Sequence, residues 1–291
     1  MNALLSALRS LVRRGAPRPA TKPAPAPSAP TPPETAQDTQ ERLIAQGLLD
    51  PPADGILGAL SRWAMTEPPP APLTPGPDLP GRIVRAMLAR GCFVSRHRDL
   101  LNIVYVEGMD PDGTANDNAP NRFNDLRCLV RIVDGIPQLA GAWEATTEPS
   151  RRWTLDPMNP KGAARIAFGQ YKAWALGRHH PGERGDHEAL VQVADITVCR
   201  DANRDFRRDG DARDTGLFGI NQHWGYDLPR NDLGNSSAGC LVGRSTAGHR
   251  EFMRLLKTDK RFVLSGGGYR FIATILPASE VAGSELAKVR R

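Results

Sequence analysis

Proline content restricts the folding of this chain more than any other feature of its sequence. The chain has 291 residues and 26 prolines, and most of the prolines lie before residue 81. Because proline fixes its own φ and has no backbone N–H, segments rich in it do not form helix interiors or central strands. We therefore predict that the proline-rich segments 16–38 and 67–80 are extended linkers.

These two linkers divide the chain into six segments. The predicted order is a basic amphipathic N-terminal segment (1–15), a Pro/Ala linker (16–38), a small helical module (39–66), a second Pro-rich linker (67–80), a large domain (81–280) and a C-terminal tail (281–291). In segment 1–15 the charges follow the apolar residues, which is not the pattern of a signal peptide, so we expect synthesis in the cytoplasm. This segment is either a surface element that contacts membranes transiently or a short helix without a role.

Composition and charge are those of a globular protein with an anionic partner. The hydrophobic fraction is 40%, the charged fraction is 24% and the formal net charge is +6. A basic balance suits a cell wall, a nucleic acid or a lipid surface, and the lack of a Lys/Arg tract with interleaved aromatics argues against nucleic acid. Cys92, Cys128 and Cys199 lie beside apolar residues and are predicted to be buried free thiols in strands.

From residue 81 onward the sequence is typical of short strands separated by turns. Apolar patterns predict strands at 101–107, 127–133, 188–194, 195–200, 261–264 and 269–276. The dipeptide Asp134–Gly135 predicts a two-residue hairpin turn after the second of these strands. One amphipathic helix is predicted at 248–258. Many strands and few helices indicate the α+β fold class with a mostly-β domain.

Segment 39–66 predicts two helices joined by a turn at Asp54–Gly55. Its apolar side chains form one face: Leu43, Ile44, Leu48, Ile56, Leu57, Leu60 and Trp63. The spacing of leucines and glycines resembles the repeat of peptidoglycan-binding domains, which implies contact with the cell wall. A helical hairpin without a binding function is the alternative.

The stretch from Ser236 to Cys240 is the strongest indication of chemistry in the chain. Small residues precede Cys240, so the backbone leaves room for a substrate carbonyl beside the sulfur. His223 lies seventeen positions upstream, a spacing that lets the chain reverse once and bring the imidazole to the sulfur. Because an imidazole that removes the thiol proton makes a thiolate available near neutral pH, we predict a catalytic pair. A buried structural cysteine is the alternative.

Residues around this pair are candidates for supporting roles. An oxyanion that forms when Cys240 attacks needs donors, and the backbone N–H groups of Cys240 and Gly239 are suited to this. The hydroxyl of Ser237 adds a further contact. Either a backbone carbonyl or Asn221 is expected to orient His223.

The stretches Phe218–His223 and Ser237–Val242 resemble the motif of the L,D-transpeptidase (YkuD-type) family. The resemblance implies a β-rich catalytic domain that acts on peptidoglycan stem peptides, at the cell wall or in the periplasm. In that family the cysteine is acylated by the peptide, and the acyl group then passes to an amine or to water. Cys240 matches the nucleophile, His223 matches the base, and Gly239 matches the residue before the nucleophile.

The sequence departs from this family at two positions. Ala238 stands where the family has a second histidine, and Val242 stands where it has an arginine, with Arg244 two residues later. These departures favour hydrolysis over transfer, as in an endolysin or a delivered effector. A wall-binding or virion-structural protein with the same fold and a silent site is the alternative from another class.

The remaining candidates concern substrate binding and metals. Trp224, Arg244 and His187 are predicted to bind substrate, whereas His179 and His180 lie in polar surroundings and are predicted at the surface.

The loop 201–211 alternates acidic residues in the way that a calcium loop does, but it also carries arginines and lacks the usual glycine. We expect a salt-bridged loop or an arginine-rich lip for carboxylates rather than a cation site. The spacing of His, Cys and acidic residues does not suit zinc, and no nucleotide-binding motif is present, so no metal or cofactor is predicted.

Overall fold

A computed structural model describes residues 33–282, and all of its helices and strands lie in one compact unit that starts at Thr35. The helices of this part of the chain are α1 (Ala36–Ala45), α2 (Ala59–Thr66), α3 (Leu79–Ala89), α4 (Arg151–Leu155), α5 (Thr246–Leu256), α6 (Lys260–Leu264) and α7 (Ala278–Val281). None of these helices is long and apolar enough to cross a lipid bilayer. The predicted segment 1–15, most of the linker 16–38 and the tail from residue 283 lie outside the described residues.

Strands dominate the fold, and eight of them close into a barrel. The strands are β1 (Asn102–Glu107), β2 (Asp125–Val133), β3 (Ile136–Thr146), β4 (Ala163–Ile166), β5 (Gly169–His179), β6 (His187–Gln192), β7 (Ile196–Asp201), β8 (Ala212–Gly216), β9 (Gln222–Trp224), β10 (Leu241–Gly243) and β11 (Arg270–Pro277). The barrel order is β1-β11-β5-β6-β9-β10-β3-β2, and β4, β7 and β8 form a separate three-stranded sheet. This α+β, mostly-β architecture agrees with the predicted fold class.

Strand β1 shows how one strand serves two cores. All six of its residues are buried, so it carries no polar face. Ile103 and Tyr105 pack into one apolar cluster with residues of β5, β7 and β11. Val104 and Val106 pack into a second cluster that also contains residues of α3. Because successive side chains of a strand point to opposite faces, a strand covered on both faces has apolar side chains on each, as residues 103–106 do.

The hairpin predicted at Asp134–Gly135 joins β2 to β3. Both turn residues have positive φ, 51° at Asp134 and 82° at Gly135, as this kind of hairpin requires. A Cβ at Gly135 would lie 2.2 Å from the carbonyl oxygen of Pro72. The N–H of Thr74 donates to the carbonyl of Gly135 at 2.8 Å, so the predicted linker 67–80 lies against the barrel hairpin.

The helical module also differs from its predicted boundaries. Helix α1 begins at Ala36, inside the predicted linker, because Thr35 and Asp38 form a capping box. Asp50, which follows α1, is buried and accepts a hydrogen bond from Arg261 of α6 at 2.8 Å. The hydroxyl of Tyr269 donates to the same carboxylate. The module is therefore tied to the barrel by a buried ion pair.

The strand predicted at 261–264 is wrong, because this segment is helix α6. The side chain of Asp259 accepts the N–H of Arg261 at 2.9 Å and caps the helix. An apolar run of four residues is too short for periodicity to distinguish a strand from a helical turn. The prediction for Cys92 is also wrong, since this residue is half-buried and follows α3 rather than lying in a strand.

Candidate active site

Cys240 and His223, the predicted nucleophile and base, line the same cleft. The cleft has a volume of about 570 Å³. Its walls include Trp153, Phe218 and Arg200, which come from distant parts of the sequence. A cavity of this size lies within the range of pockets that hold small ligands.

Strand register explains how the two residues meet. Strands β9 and β10 pair in parallel, with His223 opposite Val242 and Leu241 opposite Gln222. The N–H of Leu241 donates to the carbonyl of Asn221 at 2.9 Å. Cys240 precedes β10 and continues this register, so it falls on the same face as His223. Residues 217–221, between β8 and β9, form a loop, and β9 starts at Gln222.

His223 has the hydrogen bonding of a general base. Its Nδ1 lies 2.8 Å from the carbonyl oxygen of Trp224, and because a carbonyl only accepts, Nδ1 carries the proton. Its Nε2 therefore holds a lone pair, and this buried atom has no hydrogen-bond partner among the described residues. Burial lowers the pKa of His223 well below its usual range, and a positive charge on the neighbouring His179 would lower it further. The ring is thus neutral at physiological pH and able to accept a proton.

The thiol of Cys240 is neutral in this state. It is half-buried, and its Sγ donates to the carbonyl of Gly219 at 3.6 Å. Burial raises the pKa of the Cys240 thiol to about 11, and the backbone N–H of Asn221 opposes this only in part. The expectation of a thiolate near neutral pH is therefore not met by the protein alone. A nucleophilic role for Cys240 would therefore require His223 to remove the thiol proton as the sulfur attacks.

The loop before Cys240 is held by its own small residues. The hydroxyl of Ser237 donates to the carbonyl of Cys240 at 2.9 Å and accepts the N–H of Gly239 at 3.2 Å. Gly239 has φ of +128°, and a Cβ there would lie 2.5 Å from the carbonyl oxygen of Ala164. Ser237 and Gly239 thus shape the turn, and the predicted oxyanion donor at Gly239 is already engaged. Within residues 33–282 the N–H of Cys240 donates to no backbone carbonyl outside the strands, so it remains suited to that role.

The three residues predicted to bind substrate lie outside this cleft. Trp224 follows His223 on β9, so its side chain points to the opposite face. It stacks on His187 with ring centroids 3.8 Å apart, and both line a different cavity of about 360 Å³. Arg244 pairs with Glu144. None of these three side chains lies in the cleft beside Cys240, and their role in substrate binding stays a prediction.

Two histidines predicted at the surface line the cleft: His180 is exposed, as predicted, whereas the prediction for His179 is wrong because it is buried. His179 is only 9% exposed and stacks on His223, with centroids 3.8 Å apart and planes within 11°. His180 follows it, and its ring lies 4.0 Å from that of His179. Both line the cleft beside Ala238, where the family motif has its second histidine. The sequence offered one indication of this position: His179 ends strand β5 and lies opposite His187 of β6.

The acidic loop 201–211 is a hydrogen-bonded turn. The carboxylate of Asp201 accepts the N–H of Asp205 at 3.1 Å and of Phe206 at 3.0 Å. Arg208 pairs with Glu107, which agrees with the expected salt-bridged loop. In the described part of the chain, no group of three or more His, Cys, Asp or Glu residues is arranged to hold a metal.

A second buried polar cluster lies next to residues 236–240, the nucleophile loop, which ends at the predicted nucleophile Cys240. Arg165 pairs with Glu148 at 2.7 Å, and both side chains are 2% exposed. Arg208 reaches Glu107 in the same cluster, and Asp125 lies beside Glu107. Residues next to this cluster touch the nucleophile loop: the N–H of Ser150 donates to the carbonyl of Ser237 at 2.8 Å, and Ala164 faces Gly239.

No known protein family, curated protein or solved structure matched the chain when it was compared with them. The chemistry of the cleft and the sequence motif around Cys240 and His223 therefore carry the functional proposal.

Proposed function

We propose that the protein is a cysteine-dependent enzyme that cleaves stem peptides of peptidoglycan through an acyl-enzyme on Cys240. The observation that carries this proposal is the unpartnered Nε2 of His223, held with its lone pair in the cleft that also contains the Cys240 thiol. A buried acceptor without a donor is unfavourable, so it calls for an explanation, and a role in proton transfer is one. The resemblance of the surrounding motif to the L,D-transpeptidase family supplies the substrate class.

The first half of the proposed reaction forms a thioester. The Cys240 proton leaves the carbonyl of Gly219 and moves to Nε2 of His223 while the sulfur attacks the substrate carbonyl. The oxyanion accepts the N–H of Cys240. When the intermediate collapses, the amine leaves with the proton from His223, and the acyl group stays on the sulfur.

The second half releases the peptide. Neutral His223 takes a proton from water, the resulting hydroxide attacks the thioester, and the thiolate of Cys240 recovers the proton from the imidazolium. We place water rather than an amine in this step because Ala238 and Val242 depart from the transferase motif. Hydrolysis of wall peptides would suit an endolysin or a delivered effector.

Mass spectrometry of defined muropeptides tests the proposal. We expect the full-length protein to yield products that have gained the mass of water, together with a stem-peptide adduct on Cys240. Cys240→Ala should abolish both. Cys92→Ala is the matched control, because Cys92 is also half-buried but does not line the cleft. Parent-level cleavage by the Cys240→Ala variant would overturn the proposal.

One observation favours a non-catalytic wall-binding protein as the second candidate. The Cys240 thiol is protonated and bonded to Gly219 rather than to His223, which is the state that a silent site would keep. Alkylation by iodoacetamide separates the two candidates. A silent Cys240 reacts as slowly as Cys92, whereas an enzyme shows faster reaction of Cys240 that depends on His223.

A further inference from the structure

The base His223 lies on a second imidazole that the family motif does not supply. His179, the last residue of β5, stacks on it with centroids 3.8 Å apart and planes within 11°. The described hydrogen-bond partner of the His223 Nδ1 is a carbonyl, not a carboxylate. The positive charge that His223 gains during the reaction therefore has to be stabilised by neutral groups.

The protonation state of His179 follows from its neighbours. The side-chain oxygen of Asn221 accepts the N–H of Gln192 at 3.0 Å, which fixes the orientation of the Asn221 amide. The amide nitrogen of Asn221 then faces Nδ1 of His179 at 3.2 Å. Because that nitrogen is a donor, Nδ1 of His179 is an acceptor and its proton sits on Nε2. A doubly protonated His179 would place two donors face to face.

A neutral stacked ring and a charged one have opposite effects on His223. An imidazolium over a neutral aromatic face is attracted to it, whereas two cations at this distance repel. The groups that face His179 are His180 at 4.0 Å, His187 at 5.4 Å and His223 itself. Burial, followed by the proximity of His180, lowers the pKa of His179 to about 4, in agreement with the hydrogen bonding.

We propose that His179 is a positioning residue for the His223 base, kept neutral by the Asn221 amide so that its ring stabilises the imidazolium that forms when Cys240 is deprotonated. This inference rests on the proposed function, because it assigns His223 the role of base. It also gives Asn221 a role other than the expected one: Asn221 orients His179, and the carbonyl of Trp224 orients His223.

The test measures the rate of iodoacetamide alkylation at Cys240 from acidic to alkaline pH, in the full-length protein. His179→Ala removes the stacked ring and should slow alkylation at neutral pH about tenfold. His179→Phe keeps a flat ring and should slow it only about threefold, since a phenyl face still attracts a cation. Equal rates in the parent and in the His179→Ala variant would overturn the proposal.

A pair of variants separates this role from a structural one. Asn221→Asp keeps the acceptor for Gln192 but places a carboxylate at Nδ1 of His179, which favours a second proton on that ring. The acidic limb of the alkylation profile should therefore move to higher pH. The shift should vanish in the double variant His179→Phe, Asn221→Asp, because phenylalanine has nothing to protonate. An undiminished shift in the double variant would show that the carboxylate acts on His223 directly and would refute the proposal.

Alkylation needs no substrate, so the two proposals fail separately. If the parent protein does not cleave muropeptides, the proposed function is wrong, and the pH profiles still decide whether His179 supports His223. If the protein cleaves muropeptides and the profiles of the Asn221→Asp variants do not depend on residue 179, the function stands and the role of His179 is wrong.

Discussion

Two buried polar clusters lie next to the nucleophile loop, and their polar groups are accommodated in the interior in different ways. In the cleft, His179 and His223 lose their charge and one nitrogen stays without a partner. In the second cluster, Arg165 and Glu148 form an ion pair. A buried polar group needs either neutrality or a partner, and a general base must also keep one lone pair free to accept a proton. The first arrangement suits proton transfer, and the second suits the fixing of a loop.

The proton inventory of the charged cluster supports this contrast. The hydroxyl of Thr147 lies 2.8 Å from Glu107 and 2.9 Å from Asp125, but it has one proton to donate. One of the two carboxyl groups must therefore donate to it. Burial, followed by the charges of Glu107 and Glu148, raises the pKa of Asp125 well above its usual range, which identifies Asp125 as the protonated partner.

The largest effect is expected for a substitution in the cleft, at the proposed base His223. His223→Gln has a similar volume and keeps a donor for the carbonyl of Trp224, but it cannot take a proton. Muropeptide turnover should fall on the order of 10³-fold, the usual contribution of a general base. His97→Gln, outside the cleft, is the control. Turnover by His223→Gln at the rate of the control would contradict the assignment of the base.

The substitution Arg165→Met tests the charged cluster, because it removes the cation of the buried Arg165–Glu148 pair. Above pH 7, where Glu148 is ionised, this change leaves its carboxylate buried without its cation and should lower the free energy of unfolding by about 3 kcal/mol. Urea unfolding followed by tryptophan fluorescence measures it. Adding Glu148→Gln removes the stranded charge and should restore part of the loss. A double variant less stable than Arg165→Met alone would show that the pair does not act as a unit.

Gly239→Ala probes the contact between the two halves. The residue has φ of +128°, and the new Cβ meets the carbonyl of Ala164, next to Arg165. The strain should cost about 2 kcal/mol of stability. It should also displace Cys240, so alkylation changes together with stability. Gly182→Ala has a positive φ but open space around it, and serves as the control for backbone strain alone. Equal effects at the two glycines would exclude a role for the Ala164 contact.

The two clusters also predict opposite dependence of stability on pH. The pKa of His179 is lowered to about 4, so the folded state excludes a proton that the unfolded chain binds, and stability rises as the pH rises toward 6.5. Burial, opposed in part by Arg165, raises the pKa of Glu148 to about 7, so its contribution is full below pH 4.5 and is lost as the pH rises through 7. The two contributions oppose each other between pH 4.5 and 6.5.

The substitution Glu148→Gln removes the contribution that decreases stability as the pH rises and leaves the contribution of His179. In the variant, the free energy of unfolding should rise with pH across that window more steeply than in the parent, by up to about 1.4 kcal/mol per pH unit. Urea midpoints at several pH values give the two slopes. Only the difference in slope matters, because the substitution also changes the absolute stability. Parallel slopes would place the titration of Glu148 outside this range.

Local sequence patterns were enough for part of this molecule. The Asp134–Gly135 hairpin, the β-rich domain and the shared cleft of Cys240 and His223 follow from turn chemistry, alternation and spacing. Strand order does not, because the parallel pairing of β1 with β11 joins the two ends of the domain and depends on tertiary packing. The boundaries of the helical module shifted because capping at Thr35 involves residues that composition assigns to a linker.

The site was predicted less completely than the fold. Trp224 adjoins His223 in the sequence but does not line the cleft with it, because neighbours on a strand point to opposite faces. His179 was missed for the reverse reason: it is remote in sequence and reaches His223 only because β5, β6 and β9 are neighbours in the barrel. The motif contains the proposed nucleophile and base, whereas His179, which stacks on the base, comes from strand β5, outside the motif.

The buried contact between Asp50 and Arg261 bears on how the N-terminal third can be studied. A shortened chain that starts at residue 81 lacks Asp50, and Arg261, only 2% exposed, then loses one of its two carboxylate partners, Asp259 being the other. Weak lysis of cell walls by such a fragment could result from reduced stability of the barrel as readily as from loss of a wall-binding module. Point substitutions on the exposed side of α1, such as Glu41→Ala, leave that contact in place and are the cleaner way to ask whether these helices grip the wall.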